Sequence, residues 1–203
     1  MESSVFPTKG NLMLTKKTYN LSVLGYELMD KKRNILVREM MGLLDKAKKI
    51  QREINSTFSA AYEALQKSNM SSGMNANPAL IIPIEDGIDL KFRSVMGVEI
   101  PIVILDEIDI SIPFGLFPTN SMLDEAYVSF VKVKYLTAIL AETENSIYRL
   151  ALAIKKTQKR ANALQNIIIP KYEQTIKYIT EVLEEREREE FSRLKVIKKQ
   201  HQE

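Results

Sequence analysis

Hydrophobic positions in the first third of the chain recur at intervals of three, four and seven residues. They are Leu21, Leu24, Leu28 and Ile35 and, after a shift of one residue, Leu36, Met40, Leu43, Ala47, Ile50, Ile54, Phe58, Ala61 and Leu65. This spacing is typical of a coiled-coil seam, the row of side chains that a helix buries against its partner, and predicts one long helix over residues 11–70. The shift near residue 35 indicates a skip in the heptads.

A second hydrophobic stripe runs through the last third of the chain and predicts another long helix over residues 121–203. Its members are Val128, Val131, Tyr135, Ala138, Ile147, Ala151, Ile154, Ala161, Leu164, Ile168, Tyr172, Ile176, Ile179, Leu183, Leu194 and Ile197. Ser121 or Asn120 provides a helix N-cap. Pro170 lacks a backbone N–H and clashes with the preceding turn. Two helices that meet at Ile169 and Pro170, or one bent helix, are both compatible with this proline.

The segment between the two helices, residues 71–120, has a different composition. Its β-branched runs are residues 79–84, 88–92, 98–105 and 108–112, and glycines or prolines interrupt them. Prolines confine strands to sheet edges and prevent long ladders. We therefore predict a small, irregular β-hairpin element.

The connection between the helices sets their relative direction. A chain that follows one helix, crosses a short β element and returns forms an antiparallel pair, with the termini at one end and the β element near the other. The predicted fold class is mainly α, a long antiparallel two-helix coiled coil of the N- and C-terminal helices with a small β-hairpin in the middle. The predicted segments are a leader (1–10), a helix (11–70), a hairpin and loop insertion (71–120) and a second helix (121–203).

Composition restricts the class of protein. The chain is 45% hydrophobic and 27% charged, which is typical of a folded protein. It has no cysteine, so disulfides and thiolate sites are excluded and a reducing compartment is favoured. No segment approaches the roughly 20 apolar residues of a membrane span, so we expect any membrane link to run through a partner. The net charge of +3 is too small to require a nucleic acid.

A group of cations in the last helix is the first candidate for function. Lys155, Lys156, Lys159 and Arg160 crowd one and a half turns, where like charges repel each other. An acidic partner surface would relieve this repulsion, and Asn162, which lies between two alanines, allows close approach. A solvated helix face is the alternative interpretation.

The remaining polar groups suggest little chemistry. Lys31, Lys32 and Arg33 form a basic break in the first stripe, which either contacts phosphate or an acidic partner or is a solvated turn. The charge run at 184–190 forms pairs at four-residue spacing and is interpreted as a self-supporting solvated helix. No paired acids and no glycine-rich phosphate loop occur, and we expect His201 to be frayed and solvated. The sequence therefore predicts no catalytic residue, metal site or cofactor.

Several motifs in the chain match a known family. They are Pro7-Thr-Lys9 with Leu12; Gly25, Leu28-Met-Asp-Lys-Lys-Arg33 and Leu36; Gly97-Val-Glu-Ile-Pro101; Thr157-Gln-Lys-Arg-Ala-Asn-Ala-Leu-Gln165; Ile169-Pro170; Leu183-Glu-Glu-Arg-Glu-Arg-Glu189; and Arg193-Leu-Lys-Val-Ile-Lys198. On these residues the chain resembles the D subunit of the V-type and archaeal-type rotary ATPases, the central rotor shaft. Asp30, Lys159 and Gln165 depart from the family pattern.

The resemblance implies a non-catalytic rotor that couples ATP hydrolysis or synthesis in a hexamer of A and B subunits to proton or sodium translocation through a membrane ring. It implies that the termini lie in the bore of the hexamer, that the F subunit binds the side of the shaft, and that the far end docks on a funnel-like subunit above the ring. The protein is then cytoplasmic and peripheral to the membrane, without direct insertion. The candidate partner-facing residues are Gly25, Lys31, Lys32, Arg33, Lys155, Lys156, Lys159, Arg160 and Asn162.

Two other classes of protein share the helical pattern. A non-rotary coiled-coil adaptor or tether is the main alternative, and a pull-down that recovers the hexamer subunits and the F subunit would favour the rotor. A nucleic-acid-binding arm is the second, given an isoelectric point of about 8.9. Binding that is insensitive to salt would argue against it, because phosphate contacts depend steeply on salt.

Overall fold

The computed structural model describes residues 6–73, 87–105 and 120–200 of the chain. Its helices are α1 (Lys9–Ser72), α2 (Ser121–Ala163) and α3 (Ile169–Gln200), with a π turn at Leu164–Ile168 between α2 and α3. Its strands are β1 (Ile88–Val95) and β2 (Val98–Leu105), which form an antiparallel hairpin. The predicted fold class, two long packed helical segments with a small hairpin between them, is confirmed. The predicted β-rich runs at 79–84 and 108–112 and His201 lie outside the described residues.

Both ends of α1 have capping interactions. The N–H of Asn11 donates to Thr8 Oγ1 at 3.2 Å, which makes Thr8 the N-cap and satisfies one of the free donors of the first turn. After the last turn, Gly73 adopts a φ of +74°, and its N–H donates to the carbonyl of Asn69 at 3.0 Å. Glycine reaches this left-handed conformation at no steric cost, so it ends the helix at this position.

The chain divides into two compact units. The terminal unit comprises Met1–Asn34 and Lys155–Glu203, and the central unit comprises Ile35–Ile154. In the terminal unit, Lys9 pairs with Glu187 and Arg33 bonds to Gln158. Residue numbers that rise along α1 therefore meet numbers that fall along α3 and α2, so the helices of this unit are antiparallel.

The central unit repeats the antiparallel arrangement around a small apolar core. Asn120, just before α2, donates its side-chain amide to Ser71 Oγ near the end of α1 at 2.7 Å. Farther along the same helices, Leu36 and Leu150 are fully buried in one cluster with Ile100 of β2. The helices thus provide two walls of the core and the hairpin provides the third.

The position of the hairpin differs from the sequence prediction. We expected the β element near the ends of the helices that are remote from the termini. Instead, the hairpin packs on Leu36 and Leu150, roughly 50 Å along α1 from Gly73 at the rise of an α-helix. A two-stranded hairpin is marginal by itself, and Ile100 gives it an apolar surface that it can bury against the helices.

The two strands of the hairpin differ in burial. Ile100 and Pro101 of β2 are buried, and Ile100 is only 2% exposed. Every residue of β1 from Ile88 to Ser94 is exposed, with Ile88, Leu90 and Phe92 at 48%, 59% and 56%. The hairpin therefore packs on the helices mainly through β2.

Side chains of α2 form hydrogen bonds with the backbone at the outer edge of β2. Glu142 Oε2 accepts the N–H of Val103 at 2.8 Å, and Arg149 Nη1 donates to the carbonyl of Glu99 at 3.2 Å. The Arg149 guanidinium also lies 5.5 Å from the centre of the Phe92 ring. These contacts satisfy backbone groups that an edge strand would otherwise leave open.

The buried side of α1 follows one unbroken heptad. Its residues, all buried or half-buried, are Leu12, Thr15, Tyr19, Ser22, Tyr26, Met29, Arg33, Leu36, Met40, Leu43, Ala47, Ile50, Ile54, Thr57, Ala61, Ala64 and Ser68. The predicted skip near residue 35 is therefore wrong. The predicted first members Leu21, Leu24, Leu28 and Ile35 are 60%, 55%, 63% and 43% exposed. The first half of the true seam contains threonine, serine and tyrosine, which a search for aliphatic residues passes over.

The irregularity in spacing belongs to the last helical segment. Its covered positions around the π turn are Ala161, Leu164, Ile169, Tyr172, Ile176, Ile179 and Leu183, with steps of three, five, three, four, three and four. The step of five crosses the π turn. Four predicted members of this stripe, Tyr135, Ala151, Leu194 and Ile197, are exposed, so their assignment to the seam is wrong.

The chain remains helical through Pro170. Ile169 has φ −60° and ψ −51°, and its N–H donates to the carbonyl of Leu164, five residues back. Of the two arrangements that the sequence left open at Pro170, two meeting helices or one bent helix, the structure has an uninterrupted helical segment with a π turn just before the proline. The wider turn accommodates the proline, which has no N–H to donate, and the path of the chain stays helical.

Candidate partner interface

The predicted basic cluster forms an exposed surface of the terminal unit. Lys155, Lys156, Lys159 and Arg160 are all exposed on the last turns of α2. Within the part of the chain that the structure describes, none of the four forms an ion pair. No acid among the described residues relieves their mutual repulsion, and an acidic surface would be attracted to them.

Arg33, which is half-buried, and Asn162, which is exposed, are joined by a chain of hydrogen bonds. Arg33 pairs with Asp30 at 2.6 Å and donates to Gln158 Oε1 at 2.8 Å. Gln158 Nε2 then donates to Asn162 Oδ1 at 2.7 Å. Arg33 occupies a heptad position and its side chain is 29% exposed, so its charge is used inside the unit. The structure thus connects two predicted interface residues to each other, through Gln158.

The other predicted residues of α1 have mixed positions. Lys31 is exposed, whereas Lys32 is half-buried. Gly25 faces the start of the π turn, where an added Cβ would lie 3.9 Å from Cδ1 of Leu164. This is an ordinary van der Waals distance, so Gly25 lies at the helix-to-helix contact and has space for a methyl group.

A row of exposed apolar side chains on α1 was missed as an interface candidate. Met13, Leu14, Leu21, Leu24 and Leu28 are 74%, 64%, 60%, 55% and 63% exposed. Leu14, Leu21 and Leu28 are seven residues apart and lie on one side of the helix. The signal is present in the sequence, because three of these leucines belong to the predicted seam. A row of exposed leucines is a candidate surface for protein contact.

An exposed ion pair joins the beginning of α1 to α3. Lys9 Nζ lies 2.8 Å from Glu187 Oε1. The hydrogen bond to Glu187, and then the attraction of its charge, raise the pKa of Lys9 above its ordinary value. The same hydrogen bond, and then the positive charge of Lys9, lower the pKa of Glu187. Because the side chains are 77% and 59% exposed, the pair is screened by salt and orients the helices more than it stabilises them.

The central unit has an open cleft between the hairpin and the helices. It has a volume of about 480 Å³, and its lining includes the apolar residues Leu43, Ile100 and Ile139 and the cations Lys46 and Arg93. Its carboxylate, Glu142, already accepts the N–H of Val103. The cleft can therefore contact apolar and acidic groups.

The described ranges, 6–73, 87–105 and 120–200, contain neither a metal site nor a membrane-spanning helix. No group of three or more His, Cys, Asp or Glu residues in them is placed to hold a metal ion. None of the helices described there combines the length and the apolar character that crossing a membrane requires. The exposed cations and leucines of the terminal unit are features suited to noncovalent contact with other proteins.

Comparison with known proteins gives a consistent family. The family model for the D subunit of ATP synthase matches residues 11–199. The D subunit of the V-type ATP synthase of Thermotoga neapolitana is 46% identical, over 96% of this chain and 97% of its own length. The D subunits of the A-type ATP synthases of Pyrococcus abyssi and Methanobrevibacter smithii are 34% and 36% identical, over 95% of this chain and 92% and 85% of theirs. The chain therefore belongs to the family of ATP synthase D subunits, as a non-catalytic component of a V/A-type rotary ATPase in which other subunits are its partners.

Proposed function

We propose that this chain is the central rotor shaft that couples ATP hydrolysis or synthesis in the catalytic hexamer to ion translocation through the membrane ring. The observation that carries the proposal is the pairing of the two ends of the chain. Lys9 meets Glu187 and Arg33 meets Gln158, so the terminal unit is built from both ends. A helical pair of this kind is compatible with insertion into the bore of a hexamer, and membership in a family of rotary ATPase subunits supports that proposal.

Coupling by such a shaft follows from symmetry. One asymmetric shaft cannot make the same contacts with three equivalent catalytic sites at the same time. Its angle makes the sites unequal in their affinity for ATP and ADP, and nucleotide binding biases the angle in return. A shaft that turns also needs contacts that break and re-form at each step.

We assign the hexamer-facing surface to the basic cluster and the exposed leucine row of the terminal unit. Lys155, Lys156, Lys159 and Arg160 provide salt-screened contacts that exchange readily. Leu14 and Leu28 provide non-directional contacts, which depend little on angle. Lys31 and Lys32 lie between these groups in the sequence and are proposed as additional contacts.

Further partners complete the proposal. The F subunit binds the side of the shaft, and a funnel-like subunit above the membrane ring receives the end remote from the termini. The protein works on the cytoplasmic side, attached to the membrane through the complex. It transmits rotation in either direction, and the ion, a proton or sodium, is chosen by the membrane ring.

A photo-crosslinker at one engineered cysteine tests rotation directly. The chain has no native cysteine, so Lys159→Cys provides a single reactive thiol on an exposed position. The labelled chain is reconstituted with the other subunits and illuminated. We expect crosslinks to the catalytic A or B subunits, and a loss of ATP hydrolysis in proportion to the crosslinked fraction, because a shaft fixed to the hexamer cannot turn.

The control is the same labelled complex kept in the dark, which should retain its turnover. A static adaptor predicts a different result, namely efficient crosslinking to the hexamer without loss of ATP hydrolysis. That result, or crosslinks to no catalytic subunit, would overturn the proposal.

A further inference from the structure

The hydrogen bonds of the π turn leave one carbonyl without a helical donor. In an α-helix the carbonyl of Gln165 would accept from the N–H of Ile169, but that N–H donates to Leu164. In a π-helix Gln165 would accept from residue 170, which is a proline and has no N–H. Gln165 is exposed, so water can donate a hydrogen bond to its carbonyl.

The register of α3 requires the extra residue that the π turn contains. With the turn, Ile169, Tyr172, Ile176, Ile179 and Leu183 are covered, and Ile179 is fully buried. Without it, a continuous heptad from Leu164 would place residues 168, 171, 175, 178 and 182 on the seam. That set includes Lys171 and Tyr178, which are exposed in the structure, and burial of the Lys171 charge is unfavourable.

Few contacts hold the π turn itself. Gln165, Asn166 and Ile167 are exposed, with Ile167 at 65%. Across from the turn lies Gly25, which has no side chain, and even a Cβ added there would lie 3.9 Å from Cδ1 of Leu164. The turn thus combines a lost hydrogen bond with sparse packing, whereas Ala161 before it and Ile179 after it are buried.

We propose that the π turn at Leu164–Ile168 is a built-in torsional joint, at which α3 twists about its axis relative to the end of α2. The heptad register of α3 requires the extra residue. Pro170 fixes the position of the π turn, because the proline ring disfavours an α-helical turn immediately before it. Twisting at this point costs less than elsewhere in the terminal unit, since one hydrogen bond is already absent. The joint is a property of the chain and would be present in a static adaptor as well as in a rotor.

Amide hydrogen exchange on the full chain tests this inference. Peptides that cover residues 164–171 should exchange about tenfold faster than peptides that cover residues 154–161, because local opening is easier where hydrogen bonds and packing are fewer. Equal protection of the two segments would overturn the proposal, and this comparison needs no variant.

A deletion variant adds an independent test. Removing Ile167 together with Pro170→Ala restores a continuous heptad and an uninterrupted α-helix, so exchange at 164–171 should slow to the level of residues 154–161. Removing Glu173, an exposed residue beyond the turn, shifts the register of Ile176 and Ile179 and should lower the melting temperature instead. If the Ile167 deletion with Pro170→Ala leaves exchange fast, or destabilises the chain as much as the Glu173 deletion, the turn is not a joint of this kind.

Discussion

Met96 has a backbone conformation that its side chain disfavours. The turn between β1 and β2 has φ values of +51° at Met96 and +76° at Gly97. Two consecutive positive φ values match the twist of a two-residue hairpin, which favours Asn-Gly or Gly-Gly at these positions. Methionine has a Cβ that crowds the backbone in the left-handed region, so the turn carries a local energetic cost.

A pair of turn variants should change stability in opposite directions. Met96→Gly removes the crowding and should stabilise the central unit by about 0.5–1 kcal/mol after the entropy cost of glycine. Gly97→Ala introduces the same crowding, in a place where an added Cβ meets no atom within 4 Å, and should destabilise by about 1 kcal/mol. Urea unfolding of both variants measures the difference, and shifts of the same sign would contradict this account.

At the scale of the element, α1 has two apolar rows and buries only one of them. Leu36 lies on the row that the fold covers and is 0% exposed. Leu28, eight residues earlier, lies on the other row and is 63% exposed. Both are leucines on one helix, so the difference in environment alone sets what each contributes to stability.

Truncating the two leucines should separate the rows. Leu36→Ala leaves a cavity in the core with Ile100 and Leu150, and should destabilise the isolated chain by about 2–5 kcal/mol. Leu28→Ala removes an exposed side chain and should change stability by less than about 0.5 kcal/mol. Thermal unfolding of each variant provides the measurement. A large loss of stability for Leu28→Ala would show that Leu28 belongs to the buried seam, as the sequence first indicated.

These two rows explain how far the elements could be predicted. The second half of α1 was predicted well because its buried row is aliphatic, as at Ile50 and Ile54, and no competing row exists there. In the first half the buried row contains Thr15 and Ser22, while the exposed row contains leucines. Hydrophobicity detects both kinds of apolar surface and does not distinguish the one covered by the chain itself. Extending the heptad backwards from Leu36 in steps of three and four would have identified the correct row.

At the scale of the whole molecule, the exposure of the basic cluster was predictable from charge alone, and its role as an interface stays a prediction. Lys159 and Arg160 are exposed and without ion pairs among the described residues, as their crowding suggested. Arg33 and Asn162 were predicted separately as interface residues, and the antiparallel pairing joins them through Gln158. The bond from Arg33 to Gln158 spans 125 residues of sequence, so no local pattern could indicate it.

Reversing two cations should weaken coupling without changing the fold. Lys159→Glu with Arg160→Glu turns two salt-screened attractions into repulsions and should lower the coupled ATPase activity of the reconstituted complex by about two- to tenfold. Circular dichroism of the isolated chain should be unchanged. The matched control is Lys48→Glu with Lys49→Glu, another exposed adjacent pair, on α1 in the central unit. Equal losses in both variants would indicate a nonspecific effect of net charge.

The C-terminal end of α3 is helical although none of its residues is buried. Every residue from Glu184 to Gln200 is exposed, including Phe191 at 69% and Leu194 at 66%. Within this stretch the ion pairs of Glu184 with Arg188 and of Glu189 with Arg193 support the helix, and a helix of this length is marginal in water by itself. Concentrated salt should therefore reduce the helical structure of α3 from its C-terminal end. A surface that covers Phe191 and Leu194 should restore it.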